Sequence, residues 1–295
     1  MEDWPLDGSA GQAWFGVAWV GRGSIRPRKP RVRKIISLLV FLSTGALLPA
    51  GCSIGNSPAA LDSRFQVGGV IFSDDFRSGL AQWTPELEKG GRVEAHDGKL
   101  EIDVPAGCTV WFNPELTGPV QIEYDATMIK SGGPNDRVSD LNCFWMAQDA
   151  RSQTGLLAIK RSGKFEDYNQ LLCYYVGLGG NTNTTTRFRR YIGSPTTRPL
   201  LPEHDLSDAQ NLLTPNVTQH ITLVACGSLI EYFRDGRRIF EYIDPAPYRH
   251  GWFAIRTTWN HMTVENFTVR QLSPGVRPIG KPMFNLSRHP GSMNY

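Results

Sequence analysis

The chain has 295 residues, 31 Lys and Arg against 28 Asp and Glu, and a formal net charge of +3. That basic excess is too weak to direct the whole surface at nucleic acid, and no helix-turn-helix, zinc-finger or RNA-binding motif accompanies it. A hydrophobic share of 40% with Gly 30 and Pro 20 supplies a full core in a turn-rich chain and excludes wholesale disorder. Residues 1–31 mix Trp4, Trp14 and Trp19 with Gly and Arg, without caps or periodicity. They read as a mis-set start, with translation beginning near Val32, or as a disordered extension. Arg31, Arg33 and Lys34 then precede an apolar run over 35–48 that closes on Pro49, Ala50, Gly51 and Cys52. Charged, apolar and small segments in that order predict a signal peptide over 32–52. The run is well short of the ~20 residues of a membrane-spanning helix, so a cleaved leader is expected.

The Ala50-Gly51-Cys52 ending resembles the lipobox of bacterial lipoproteins, with Pro49 where leucine is usual. The resemblance implies acylation of Cys52 and, because Ser53 rather than Asp follows it, an outer-membrane anchor in the cell envelope. Plain secretion to the periplasm or the medium is the alternative.

Residues 53–65 read as a tether. From there to residue 272 the two-residue period dominates. Leu100, Ile102 and Val104 alternate with Glu101 and Asp103, and Val120, Ile122, Tyr124, Ala126 and Met128 alternate with Gln121, Glu123, Asp125 and Thr127. Such alternation predicts half-buried antiparallel strands. Further strands are predicted at 109–112, 139–148, 171–176, 185–192, 217–226, 228–234, 237–242, 252–258 and 262–272. Asp235-Gly236 supplies the positive φ values of a hairpin turn. A short helix is expected over 206–213, capped by Asp205 or Ser207. Residues 273–295, with Pro274, Pro278, Pro282 and Pro290, read as a mobile tail. Cys108, Cys143, Cys173 and Cys226 lie in apolar stretches without metal spacing and read as small buried hydrophobes, one disulfide being the alternative. The fold class expected is all-β, a monomeric two-sheet antiparallel sandwich over 66–272.

The opening Phe72-Ser73-Asp74-Asp75-Phe76 with Trp83, then Asp97-Gly98-Lys99-Leu100 and the closing Val264-Glu265-Asn266-Phe267-Thr268-Val269, are similar to the frame of concanavalin and laminin-G-like jelly rolls. The interior is more particular. Gly133-Pro134-Asn135-Asp136-Arg137, Ser139-Asp140-Leu141-Asn142, Tyr174-Tyr175-Val176-Gly177, the Asn181 to Arg190 run and Arg256-Thr257-Thr258-Trp259-Asn260-His261-Met262 resemble the bacterial family catalogued as domain of unknown function 6250. That resemblance implies a jelly roll in an exported protein associated with polysaccharide breakdown. It carries no assigned reaction and transfers no catalytic residue.

Candidate chemistry therefore rests on residue type and strand face. Asp140 shares a face with Asn142, Arg187 with Arg189 and Tyr191, and Arg256 with Trp252. Between 177 and 202 stand Arg187, Arg189, Arg190 and Arg198 and no acid. Guanidinium groups pair with carboxylates, so a uronate ligand is expected, unless Asp136, Asp140, Glu203 or Asp205 offset them internally. Trp259 offers a stacking face and Asn260-His261 an amide and an imidazole at a sheet edge; His204 is a further candidate. Two-carboxylate hydrolysis fits poorly, because the Glu-x-Asp-x-x-Glu strand of jelly-roll endoglucanases is absent. The reading favoured is cleavage of an acidic glycan by elimination. Asn142, Arg187, Arg189, Arg256, Trp259 and Asn260 would hold the substrate, and His261, Tyr174 and Asp140 are the catalytic candidates. A non-catalytic glycan-binding lipoprotein is the alternative. No cofactor is called for and no metal site is assigned, although Asp74 and Asp75, joined by Glu265, offer oxygen ligands to calcium.

Overall fold

The structure is a computed structural model, and the residues described are 61–275; the leader, Cys52 and the chain beyond 275 lie outside them. The described residues form fourteen strands: β1 (Phe65–Asp74), β2 (Trp83–Leu87), β3 (Arg92–His96), β4 (Lys99–Phe112), β5 (Leu116–Thr117), β6 (Val120–Met128), β7 (Leu141–Asp149), β8 (Leu171–Gly179), β9 (Thr185–Ile192), β10 (Asp205–Leu206), β11 (Thr218–Cys226), β12 (Leu229–Arg234), β13 (Arg237–Ile243) and β14 (His250–Pro274). All pairings are antiparallel, as the alternation requires. A front layer runs β10-β9-β8-β7-β14-β4-β2, and a back layer runs β3-β4-β14-β6-β11-β12-β13 with β1 on the far half of β14. The fold is thus the two-sheet jelly roll expected from the sequence. Phe65 is buried against the end of β14, and the Arg64 carbonyl accepts the Gly275 amide at 2.7 Å.

Strands β4 and β14 belong to both layers, and β14 shows how the sequence keeps one face inward through the bend. Phe253 and Ile255 face the intersheet core, then Met262 and Val264, then Phe267 and Val269. The parity switches twice. Each switch coincides with a register shift, between Thr258 and Asn260 and between Glu265 and Thr268, where Trp259 (φ +52°) and Asn266 (φ +56°) are extra residues. A bulge adds one residue to one strand, so the apolar set stays buried when the strand turns. The sequence reading broke this strand in two at residues 259–261 because the alternation there loses phase.

Strands β7 and β8 are buried on both faces. Besides the intersheet core, an aromatic cluster of Trp111, Phe144, Tyr168, Tyr175 and Tyr191 lies on the outer face of the front layer. It is covered by the segment between β7 and β8, which includes two 3-10 turns, Leu156–Ala158 and Phe165–Tyr168. This cover decides what remains of the front face for a ligand.

One expectation needs correction, and one alternative is set aside. The helix over 206–213 is absent: Asp205 and Leu206 pair with β9, and only the 3-10 turn Ala209–Asn211 follows. The Asp205 carboxylate binds Arg187 instead of capping a helix, and Ser207 makes no cap either. The four cysteines of the described residues are free rather than disulfide-linked. Burial pushes the Cys108 and Cys143 thiols up to about 12, which fits packing groups rather than reactive ones.

Candidate functional site: an arginine-lined cleft on the front layer

Register converts alternation along each strand into rows across the sheet. One row, from the edge inward, is Asp205, Arg187, Gly177, Asn142, Arg256, Thr109 and Glu86. The next is Arg189, Tyr175, Phe144, Ala254 and Trp111. Their strand neighbours Phe188, Val176, Cys143, Ile255 and Val110 fill the intersheet core, so both rows project outward.

The cover takes the β2-β4-β14 end of these rows. Tyr168 Oη and Trp111 Nε1 each donate to Glu86 Oε2 at 2.8 Å. Arg161, with a side chain only 1% exposed, donates to Asp149 Oδ2 at 2.5 Å. Arg256 is fully buried. Its Nη1 donates to Gly163 O (2.6 Å) and Thr109 Oγ1 (3.0 Å), and its guanidinium lies 4.8 Å from the Tyr168 ring and 5.3 Å from the Phe165 ring. Close approach depends on two glycines: a Cβ on Gly107 would collide with Gly163 O, and one on Gly163 (φ +84°) with the Glu88 amide. Arg256, expected to hold substrate, instead pins the cover.

Over β7, β8 and β9 the face stays open as a cleft of about 280 Å³, lined by Asp140, Asn142, Tyr175, Arg187, Arg189 and Arg198, with Thr258 and the edge of Phe165. Four expected residues, Asp140, Asn142, Arg187 and Arg189, are therefore brought together. Their charges are not equally offset. Arg187 makes a bidentate pair with Asp205, at 2.7 and 3.1 Å. Asp140 accepts from Ser139 Oγ and Thr258 Oγ1, each at 2.8 Å, and pairs with Arg137 at 3.3 Å. Among the described residues no carboxylate pairs with Arg189, whose Nη1 donates to the Arg198 carbonyl, while the Arg198 guanidinium lies 5.0 Å from the Phe165 ring. Burial, with the like charges of Arg198 and Arg187, holds Arg189 below the ordinary arginine range. Asn142 is 1% exposed, and its Oδ1 has no partner among the described residues. The cleft thus combines surplus positive charge with an unused buried amide.

The other expected residues are elsewhere. Tyr174 lies between the sheets and donates its hydroxyl to Asp244 at 2.7 Å; Asp244 also binds Arg190 at 2.7 Å. Its neighbour Tyr175 is the tyrosine of the cleft, and burial raises its hydroxyl well above the ordinary value. His261 sits on the outer face of the back layer between Asp136 and Glu101. Asn260 is fully buried and its Nδ2 donates to the carbonyls of Arg137 and Ser139. Trp259 is 46% exposed and stands outside the cleft, on the far side of Arg137, whose guanidinium is 5.5 Å from its ring. His204 packs edge-on against Phe188 and Phe240. Asp74 accepts from the Phe76 amide, Gln82 and Trp83, and Glu265 pairs through one oxygen with Lys99 at 3.1 Å, so hydrogen bonds already engage part of the oxygen set proposed for calcium. A second groove of about 320 Å³ at the β9 and β13 edge is mostly apolar, and its charged pair, Arg190 and Asp244, is closed on itself.

Reasoning from sequence missed Tyr175, Thr258 and the covering role of 150–170, whereas Arg198, one of the arginines of the acid-poor run, does line the cleft. One signal was present: Gly177 in mid-strand marks close approach, and the residue sharing its face is Tyr175, not Tyr174.

A search of curated proteins finds no match to the chain. Among solved structures, a protein of unknown function with a galectin-like fold from Bacillus subtilis is similar, with a TM-score of 0.56 at 15% identity over 71% of this chain and 99% of that one. Carbohydrate binding module CBM66 from Bacillus subtilis aligns at TM-score 0.45 and 11% identity over 65% of this chain and 97% of that one. Beta-agarase A from Zobellia galactanivorans aligns at TM-score 0.47 and 12% identity over 74% and 96%. At such identities the first likeness shows the fold. The model of the family described as Domain of unknown function (DUF6250) matches residues 102–267, from within β4 to within β14, and the chain belongs to that family.

Proposed function

We propose that the cleft over β7, β8 and β9 binds the carboxylate-bearing unit of an acidic glycan, and that this binding, rather than cleavage, is the activity of the folded unit. The observation that carries the reading is that, among the described residues, no carboxylate offsets Arg189 and Arg198 and no donor reaches the buried Asn142 Oδ1 beside them. A carboxylate supplies the missing counter-charge through charged hydrogen bonds, and a sugar hydroxyl is a natural donor to Asn142 Oδ1. The family resemblance, to exported proteins of polysaccharide breakdown, favours a uronate over other anions. Hydrolysis by two carboxyl groups has little support, since among the described residues Asp140 is the one acid lining the cleft, and its Oδ2 is taken by Ser139, Thr258 and Arg137.

Elimination is a second reading, favoured by one observation: Tyr175 faces the same cleft as Asn142 and Arg189. The tyrosine would have to accept the α-proton, and burial works against its anion. Prolonged incubation with acidic polysaccharides separates the two. Retention of the glycan with neither ultraviolet-absorbing unsaturated ends nor new reducing ends is the expected result; steady release of either would replace binding with catalysis.

A further inference from the structure

The outer face of the back layer carries a second constellation, independent of the cleft. Asp103 on β4 lies directly opposite His261 on β14, and Glu101 is two residues along the same face of β4. His261 Nδ1 is 2.8 Å from Asp136 Oδ1, and Nε2 is 3.0 Å from Glu101 Oε1. Asp136 is itself held by the backbone amides of Ser131 and Gly133. A carboxylate fixed in this way orients the ring and holds Nε2 toward Glu101.

We propose that Glu101, Asp103 and His261 form a binding site for a divalent cation of the zinc class, with His96 as the fourth ligand. One ligand atom from each of the first three lies within 4.8 Å of the others. Bonds of about 2.0–2.2 Å to a tetrahedral ion set ligand atoms roughly 3.3–3.6 Å apart, so only small rotations close the site. His96 Nε2 already touches the second Glu101 oxygen. Mixed imidazole and carboxylate donors suit zinc and its neighbours better than calcium or magnesium, which take oxygen shells. Arg92, with Nη2 2.6 Å from Glu101 Oε1, occupies part of the acceptor set; its side chain is 47% exposed and free to swing aside.

The site would clamp β3, β4 and β14 to the loop that carries Asp136. The same loop delivers Arg137 to Asp140 at the edge of the cleft, so the ion stiffens one wall of the binding site without touching a ligand there. The test is titration of the chelator-stripped full-length protein with zinc chloride, by calorimetry and by thermal melting. One equivalent bound, a raised Tm, no comparable effect of calcium, and at least a tenfold loss of zinc affinity in Asp103→Asn and His261→Gln are expected. Cobalt(II) on the wild-type protein, which needs no variant, should show the visible d–d bands of a tetrahedral site. Absence of those bands together with no zinc-induced rise in Tm would overturn the site. Equal zinc affinity in wild type and both variants would overturn it as well.

Discussion

Asp149→Asn lowers stability by about 3 kcal/mol, the low end of the range for breaking one side of a buried ion pair. The Asp149 side chain is fully buried, and it holds Arg161 at 2.5 Å and Arg151 at 2.6 Å. Arg151 can turn to water, its side chain being 44% exposed, but Arg161 cannot. After the substitution its guanidinium keeps the carbonyls of Leu156 and Ile159 and a distant Glu86 at 3.7 Å. That remaining acid is why the low end is expected. For a domain of this size the loss corresponds to a fall in Tm of roughly 6–12 °C. The pH dependence has a definite sign. Burial works against the Asp149 carboxylate, but hydrogen bonds from Arg151 and Arg161 outweigh it and hold the group down to about 2. A depressed folded value contributes stability that is complete above the ordinary 3.8 and is lost as pH falls toward 2. The gap between wild type and variant should therefore close across that window. Urea denaturation at pH 7 and at pH 2.5 reads both effects, and a loss below ~1 kcal/mol at pH 7 would show that Arg161 has found another partner.

Arg189→Ala should weaken acidic-glycan binding by about 1.5–3 kcal/mol, or roughly 10- to 150-fold, the scale of hydrogen bonds to a charged group. Stability should hold or rise slightly, because the unliganded protein carries this guanidinium at a cost from burial and from its like-charged neighbours. Arg187→Ala behaves differently, since it removes the pair with Asp205. Melting and affinity measured on the same Arg189 variant separate the cases. A lowered Tm with equal loss for neutral and acidic glycans would make Arg189 a structural residue.

The contrast between Arg187 and Arg189 shows what was legible in the sequence. The arginine-rich, acid-poor run was visible as a source of charge, and so were the two explanations, ligand or internal acid. The internal acid applies to Arg187, and a ligand is proposed for Arg189, two positions away. Which applies to which depends on the pairing of β9 with β10, which brings Asp205 against Arg187 and which nothing local to either segment specifies. Most strands were legible because a half-buried strand writes its period into the chain. In β8, buried on both faces, that signal vanishes, and Tyr174 could not be told from Tyr175 by pattern alone. Arg256 misled for another reason: a charged residue on an outward face reads as available, and only the tertiary path of 150–170 shows that Arg256 is covered. The phase loss at Trp259 looked like a break between strands and proved to be the bulge that carries β14 from one sheet to the other.

The central claim is that the cleft recognises a carboxylate on a sugar. The most direct measurement is calorimetric titration of the wild-type protein with one acidic oligosaccharide before and after chemical reduction of its carboxyl groups to primary alcohols, which leaves linkage and ring stereochemistry unchanged. At least tenfold weaker binding of the reduced form is predicted; equal affinity for the two forms would contradict the account.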